Sequence, residues 1–437
     1  MFEKNNGFFF ITDSKSIYLF VGDPAVAREI MVSRSKEIIK PIHVYKILDI
    51  FGKNVVTTEH DEWRRHRRIA APTFSEGNNM LVHKASVDVA ERMFKGWDST
   101  GEAEFLVNAS EDMMQAALAV ISIAAFGMDF PWHAENDSKL VPNGHKLSFK
   151  RAIQTVIETL HVKLLTPSWL YVLPIKALQV SRLAFQEFDL YLDEIIQSAK
   201  GDDTKKNLVH MLVNATEGEE GKLTRSELKG NAFIYIFAGH ETTAGTLAFA
   251  LAALAVYPDI QEKLHKAVVA ELGDSEPEYS DFSKLKYSLA IMNETLRHYP
   301  PVTGIPKFTA DKEAVIGDVV VPANTMVTIV TPGIQFCPSV WGDDVEAFNP
   351  DRFIDSTTGE VHAFGGSALG LAPFSEGPRS CLGKKFAQVE FVALLSMMSL
   401  RYKWRVPEGV KWEDLLKAAP VITLKPAKDV KLVFSRR

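Results

Sequence analysis

Phe374-Ser375-Glu376-Gly377-Pro378-Arg379-Ser380-Cys381-Leu382-Gly383 is a glycine- and proline-punctuated turn that delivers one cysteine to the start of an apolar helix. Leu382, Phe386, Val389, Ala393 and Met397 recur at three- to four-residue spacing, which is the helical period. The free backbone N–H groups of that helix's first turn, together with its dipole, favour a thiolate at Cys381. A thiolate so placed is a good soft ligand for iron. Arg379 can pair with a carboxylate, and Gly377 and Gly383 let the backbone approach a flat macrocycle closely. For Cys381 by itself, a buried and inert cysteine is the commoner situation, so the rest of the chain decides.

The chain has 437 residues, 46% hydrophobic and 24% charged, with a net charge of −6. That composition is globular rather than disordered, and the acidic balance argues against a nucleic-acid partner. No linker-like or low-complexity stretch divides the sequence, so one large domain spanning 1–437 is expected. Cys337 and Cys381 are the only cysteines, which excludes a disulfide framework and any four-cysteine zinc or iron–sulfur site. A Cys337–Cys381 disulfide is formally open but would consume the proposed ligand. No run of about eighteen uncharged apolar residues suggests a membrane span, and MFEKNNGFFF lacks the pattern of a signal peptide. The sequons at Asn108, Asn136, Asn214 and Asn293 are read as chance, since one falls in a predicted buried helix.

Upstream of the cysteine turn, the longest helical pattern runs over 225–257 and is ended by Pro258. From Asn231 to Tyr257 nearly every residue is apolar except His240-Glu241-Thr242-Thr243. A carboxylate beside a hydroxyl in mid-helix is costly unless something needs it. Gly239 removes a side chain there, and a threonine hydroxyl bonded back to a carbonyl would open a local bulge. The bland alternative is a helix kink with a satisfied Glu–His contact. Two further pairs share helix faces: Trp63 with Arg67, and Glu294 with Arg297. The run Arg64, Arg65, Arg67, Arg68 is equally readable as a solvated basic face.

The remaining chain supplies the frame. Residues 7–12 and 16–21 read as a hairpin, and Asp23-Pro24 opens a helix. Residues 36–58 and 200–224 read as loops, and 78–200 as successive amphipathic helices with a core helix at Ala116–Met128. Pro167 and Pro174 interrupt a Leu/Tyr/Trp-rich stretch at 159–182. Alternating runs at 314–321 and 325–330 suggest a small sheet, and Pro420–Phe434 a hairpin.

Four ordered motifs carry a resemblance: Trp63-x-x-x-Arg67, Ala238-Gly239-His240-Glu241-Thr242-Thr243, Glu294-x-x-Arg297 with Phe348-Asn349-Pro350-Asp351-Arg352-Phe353, and the Phe374–Gly383 turn. In this order and spacing the chain resembles the cytochrome P-450 family from residue 7 onward. The resemblance implies a mostly α fold with a minor β region. It implies haem b held through Cys381, with Trp63, Arg67, Ala238, Phe374, Arg379 and Gly383 around the cofactor. Glu241 and Thr242 would relay protons to dioxygen, and Glu294, Arg297 and Arg352 would form a structural cluster. A histidine found in many relatives near Gln335–Pro338 is absent, so no propionate contact is assigned there.

The implied reaction is monooxygenation of a hydrophobic small molecule, with electrons from NADPH through a flavoprotein reductase. An apolar pocket would include Phe233, Phe237, Ala238, Val302 and Ile305, and 36–58 would form part of the substrate-facing wall. Arg64, Arg65, Arg68, Lys384 and Lys385 would meet the reductase. The motif detail resembles the eukaryotic, fungal-like branch, whose members work as monomers at the endoplasmic reticulum membrane. This sequence starts at the hairpin, without the family's anchor and first helix, and as given would be soluble. The rival readings are a haem-thiolate isomerase or dehydratase, a non-catalytic haem binder, and an inactive chain.

Overall fold

Asp23 shows how the local signals are used: its side chain accepts a hydrogen bond from Val26 N at 2.9 Å, and Pro24 opens helix α1 (Pro24–Arg28). The computed structural model describes residues 7–13, 16–132, 141–200, 207–216, 222–362, 370, 372–420 and 423–437. These gather into two compact units. One comprises Met1–Pro41, Ser86–Ala117 and Glu241–Arg437, and the other Ile42–Ala85 and Leu118–His240. The chain crosses between them inside three continuous helices, at Ala85/Ser86, Ala117/Leu118 and His240/Glu241, as well as at Pro41/Ile42, so no linker in the sequence marks the division.

The first unit holds the strands. The expected hairpin forms from β1 (Phe8–Thr12) and β2 (Ile17–Val21), and two-residue strand β3 (Ile38–Ile39) joins the same sheet. That sheet is completed by β5 (Gly304–Thr309) and β8 (Thr325–Val330) in the order β1-β2-β8-β5-β3, with β2 parallel to β8. Leu19, Val21, Ile38, Val327 and Ile329 bury its inner face against Ala27 and Ile30. Strand β4 (Glu104–Asn108) flanks β12 (Lys431–Arg436), which pairs on its other side with β9 (Tyr402–Arg405). β6 (Ala314–Ile316) and β7 (Val319–Val321) form a small hairpin, as do β10 (Ala418–Pro420) and β11 (Leu424–Pro426).

In the second unit, helices α2 (His60–Ala70), α4 (Phe149–Glu158) and α5 (Lys176–Ala199) dominate. α3 (Ala109–Ile121) continues as a π turn over Ser122–Phe126 and stops at Gly127, whose φ is +68°. The stretch Ala109–Phe126 is long and apolar enough to cross a membrane, yet is mostly buried inside the fold, as expected for a core helix. His145 is clamped between Glu187 (3.0 Å) and Glu194 (3.1 Å) and stacks on Tyr191, which pins its loop to α5.

Three expectations are corrected. The segment 36–58 is not all loop: β3, the short helix Ile42–Tyr45 and a 3-10 turn at Lys46–Leu48 occupy its first part. The region 200–224 contains the helix Leu208–Asn214, capped by the Asn207 side chain on His210 N; residues 201–206 and 217–221 lie outside the described residues. The tail is not one hairpin, because β12 leaves β10–β11 to bury Leu432 and Phe434 between β4 and β9. Val421 and Ile422, at the start of the expected hairpin, lie outside the described residues.

Candidate functional site

The cysteine turn is fixed by backbone geometry. Ser375 and Gly377 both take positive φ, 58° and 67°, and a Cβ at Gly377 would lie 2.7 Å from the Met31 carbonyl oxygen. Only glycine fits there. Cys381 N donates to Phe374 O at 2.8 Å and Ser380 N to Gly377 O at 3.1 Å, closing the loop on itself. Cys337 and Cys381 are both free, so the disulfide does not form, and Cys381 is exposed. Helix α8 (Lys384–Arg401) starts after its N-cap Gly383. Cys381 therefore precedes the first turn instead of lying within it.

The charges around the turn belong to the same unit. Arg28 lies 3.5 Å from Glu376. Burial raises the Glu376 pKa against the pull of Arg28 and Lys384. Burial likewise lowers that of Lys384, opposed by Glu376 and Cys381.

Behind the turn is a buried charge cluster, on α7 (Lys286–His298) and the Phe348–Phe353 segment. Arg297 Nε donates to Glu294 Oε2 at 2.7 Å and its Nη2 to Oε1 at 2.9 Å; both side chains are wholly buried. Arg352 Nε reaches Glu294 Oε1 at 3.2 Å, and Asn349 N donates to the same oxygen at 2.7 Å. Arg297 also donates to the carbonyls of Gln335, Val345 and Ala347. Burial would raise the Glu294 pKa, but the hydrogen bonds and charges of Arg297 and His298 outweigh it and hold it at about 2. His298, 3.4 Å from Glu294, is a member that motif reading overlooked, although it directly follows Arg297 in sequence.

On helix α6 (Arg225–Val256) every residue from Asn231 to Ala255 is buried except Ala238, Gly239, Glu241 and Thr242. Ala238 stands three and four residues before Glu241 and Thr242, and Gly239 three before Thr242, which groups them on one helix face. They make a window in a core helix. Ala238 is exposed, and Glu241 makes no hydrogen bond or ion pair among the described residues. A Cβ at Gly239 would meet Ile121 Cδ1 at 3.1 Å, so Ile121 is what its missing side chain admits. His240 points elsewhere: its Nδ1 lies 2.8 Å from Ile236 O, and burial, opposed by that bond, lowers its pKa to about 4. The alternative of a Glu241–His240 contact is not what forms. Nor is there a bulge; Thr246 Oγ1 bonds back to Thr242 O at 2.8 Å and the helix runs on unbroken.

Other expected residues are placed as follows. Trp63 and Arg67 are half-buried on α2, and Phe374, Arg379 and Gly383 are half-buried on the turn. Phe233 and Phe237 are buried and stacked at 5.7 Å. Val302 is 46% exposed, and Ile305 sits on β5 against the sheet core. Of the basic residues expected to meet a reductase, Arg65 is not available, because Glu227 takes it in an ion pair and the Lys222 carbonyl binds it as well. Arg64 pairs with Asp61, Lys385 lies 3.4 Å over the Phe282 ring, and Arg68 is exposed.

Glu227 also closes a capping box at the start of α6, where Thr224 N donates to Glu227 Oε2 at 2.8 Å and Glu227 N to Thr224 Oγ1 at 3.2 Å. The spacing Thr224-x-x-Glu227 was the signal available for it.

The donor set fits a prosthetic group better than a bare ion. Among the described residues no group of three or more His, Cys, Asp or Glu could hold a metal, while Cys381 presents one exposed sulfur on a rigid turn. Cys381 would hold a haem there, the macrocycle supplying the other ligands of its iron.

The comparisons agree with this chemistry. The family model described as Cytochrome P450 matches residues 1–434. "Cytochrome P450 monooxygenase 124" of Postia placenta is 38% identical, covering 95% of this chain and 83% of that protein. "Bifunctional cytochrome P450/NADPH--P450 reductase 2" of Bacillus subtilis is 25% identical over 90% of this chain and 37% of its own length. The solved cytochrome P450DA heme domain superposes with a TM-score of 0.82 at 22% identity, covering 100% of this chain and 91% of that one; at that identity the likeness concerns the fold.

Proposed function

Because this chain belongs to the cytochrome P450 family, we propose that it hydroxylates or epoxidises a hydrophobic small molecule of secondary or lipid metabolism. It is a haem-dependent monooxygenase that draws electrons from NADPH through a reductase. The observation that carries the proton-relay reading is the window on α6, a carboxylate without a partner among the described residues next to a hydroxyl, on a stretch from Asn231 to Ala255 that is otherwise buried.

Cys381 would bind the iron, and Arg379, Trp63 and Arg67 the propionates; Phe374, Gly383 and Ala238 would pack against the macrocycle. Haem, when bound, supplies the activation of dioxygen that lets one oxygen atom enter the substrate while the other leaves as water. The overall balance is substrate, dioxygen, NADPH and one proton giving oxidised substrate, water and NADP⁺. Within the chain, Thr242 Oγ1 donates a proton on the substrate side and recovers one from the Glu241 carboxyl. Glu241 exchanges in turn with solvent. Phe233, Phe237, Val302 and Ile305 are proposed as apolar substrate contacts.

Association with the endoplasmic reticulum membrane is proposed on a separate ground: Leu165, Trp169 and Val172 are 80%, 69% and 83% exposed within one stretch, more apolar surface than a wet face needs.

The test is turnover of a hydrophobic compound library with reductase, NADPH and ¹⁸O₂. One ¹⁸O per product is expected, with loss of activity in Cys381→Ser. In Thr242→Ala, NADPH consumption should continue while the product-to-NADPH ratio falls about tenfold or more. Product formed without NADPH or dioxygen would instead identify an isomerase or dehydratase.

A further inference from the structure

In the second unit a cavity of about 760 Å³ opens between α5, the first turns of α6, the 163–172 segment and the Ile50–Phe51 loop. That volume lies in the range of ~300–1,000 Å³ usual for small-molecule sites. Its wall is aromatic: Phe51 stacks on Phe185 at 5.8 Å, and the Lys163 ammonium lies 5.2 Å from the Tyr171 ring and 5.5 Å from that of Phe185.

The charges lining it do not cancel. Lys229 is held by Asp189 at 2.7 Å and Asp193 at 2.8 Å, and Arg225 by Asp193 at 2.7 Å. Those two cations and two carboxylates neutralise one another. Lys163 and Arg182 also line the cavity, and neither has an ion-pair partner among the described residues. Arg182 stands three residues before Phe185 on α5, so it shares that ring's helix face. Two uncompensated cations therefore border one apolar wall.

This cavity is separate from the window on α6. Lys229 precedes Ala238 by about 13 Å along the helix, at 1.5 Å per residue. Between them Phe233 is packed against Phe51 at 5.1 Å and stacked on Phe237. Buried rings fill that face.

We propose that the cavity binds an anionic amphiphile, with its apolar body on Phe51, Tyr171 and Phe185 and its carboxylate or similar head on Lys163 and Arg182. A cation is disfavoured by the net positive border, and a neutral amphiphile gains only the wall. The same head-group chemistry occurs in a free carboxylate and in an anionic lipid surface, and the monomeric and vesicle arms of the test separate the two sources.

The test is calorimetric titration of the haem-loaded full chain with decanoate, decan-1-ol and decyltrimethylammonium, each kept monomeric. Decanoate should bind about tenfold more tightly than decan-1-ol, and the cation should bind most weakly. The double substitution Lys163→Gln/Arg182→Gln should erase the margin of decanoate over the alcohol, with alcohol affinity and the haem spectrum unchanged. Phe185→Leu should weaken decanoate and decan-1-ol alike. Equal binding of acid and alcohol, or a margin that survives the double substitution, would overturn the proposal. So would charge-dependent binding to anionic phospholipid vesicles without any binding of monomeric decanoate, which would assign these cations to a membrane surface.

Discussion

Arg297 heads the largest side chains that the fold buries completely, and its charge is tolerable only because Glu294 and three carbonyls surround it. Arg297→Ala leaves Glu294 buried beside a single remaining arginine, and loss of one partner from such a pair costs about 3–5 kcal/mol. Arg297→Lys should rescue little, since one ammonium cannot replace a planar fork. Denaturant midpoints and the yield of haem-loaded protein check both. The same cluster sets an acid limit. The Glu294 carboxyl is held at about 2, below its ordinary 4.5, so its contribution is complete above pH 4.5 and lost as pH falls toward 2. About 3 kcal/mol is at stake at the usual 1.36 kcal/mol per pK unit. Stability of Glu294→Gln should lose this part of the decline between pH 5 and 2.5; a slope identical to that of the parent would remove the assignment. The Glu–x–x–Arg spacing was visible in the sequence. The carbonyls of Gln335, Val345 and Ala347 were not, because backbone acceptors leave no trace in residue identity.

Helix α8 was legible from its period, though not its start, since the turn at Leu382 and Gly383 continues the apolar spacing without helical backbone. α6 was legible in length and in its polar break. The helix Leu208–Asn214 was missed because so short an apolar run between charged segments carries too few turns to show a period. Within α8, Glu390 is a lone acid among Val389, Phe391 and Val392. It is fully buried, and neither carboxyl oxygen has a partner among the described residues. Burial raises its pKa well above the ordinary value, so it is neutral in the folded chain and ionises on unfolding. A raised carboxyl pKa contributes least destabilisation below the unfolded value, near 4.5, and progressively more as pH rises above it. Glu390→Leu should therefore stabilise the protein at pH 7, by about 1–3 kcal/mol, and by less at pH 4. Urea midpoints at the two pH values decide it. Destabilisation at pH 7 would mean that the acid holds a polar partner worth more than its desolvation.

For the whole molecule, the order of the four motifs was enough to anticipate a mostly helical fold with minor sheets. The sequence could not show that β2 pairs in parallel with β8 or that β12 is claimed by β4 and β9, because long-range pairing follows from packing and not from local pattern. The exposed Leu165, Trp169 and Val172 predict a blue shift of tryptophan emission on adding phospholipid vesicles, abolished in Trp169→Ala and reduced in Val172→Asp; unchanged emission would remove the membrane assignment. Electron delivery poses the last question of charge. The chain carries a net −6, so a reductase with an acidic docking face, the kind the family resemblance implies, would be repelled at long range and would have to be drawn in by local cations. Of the candidates on α2, Arg65 is spent on Glu227 and Arg64 on Asp61, which leaves Arg68, exposed and unpaired among the described residues. Arg68→Glu should slow reduction by NADPH and reductase about threefold or more at low ionic strength, with an unaltered haem spectrum. The difference should shrink as salt shortens the screening length from about 30 Å at 0.01 M toward about 3 Å at 1 M. A docking contact made by hydrogen bonds or apolar surface would show no such convergence. Equal rates for parent and variant across the whole salt series would move the docking site off α2 altogether.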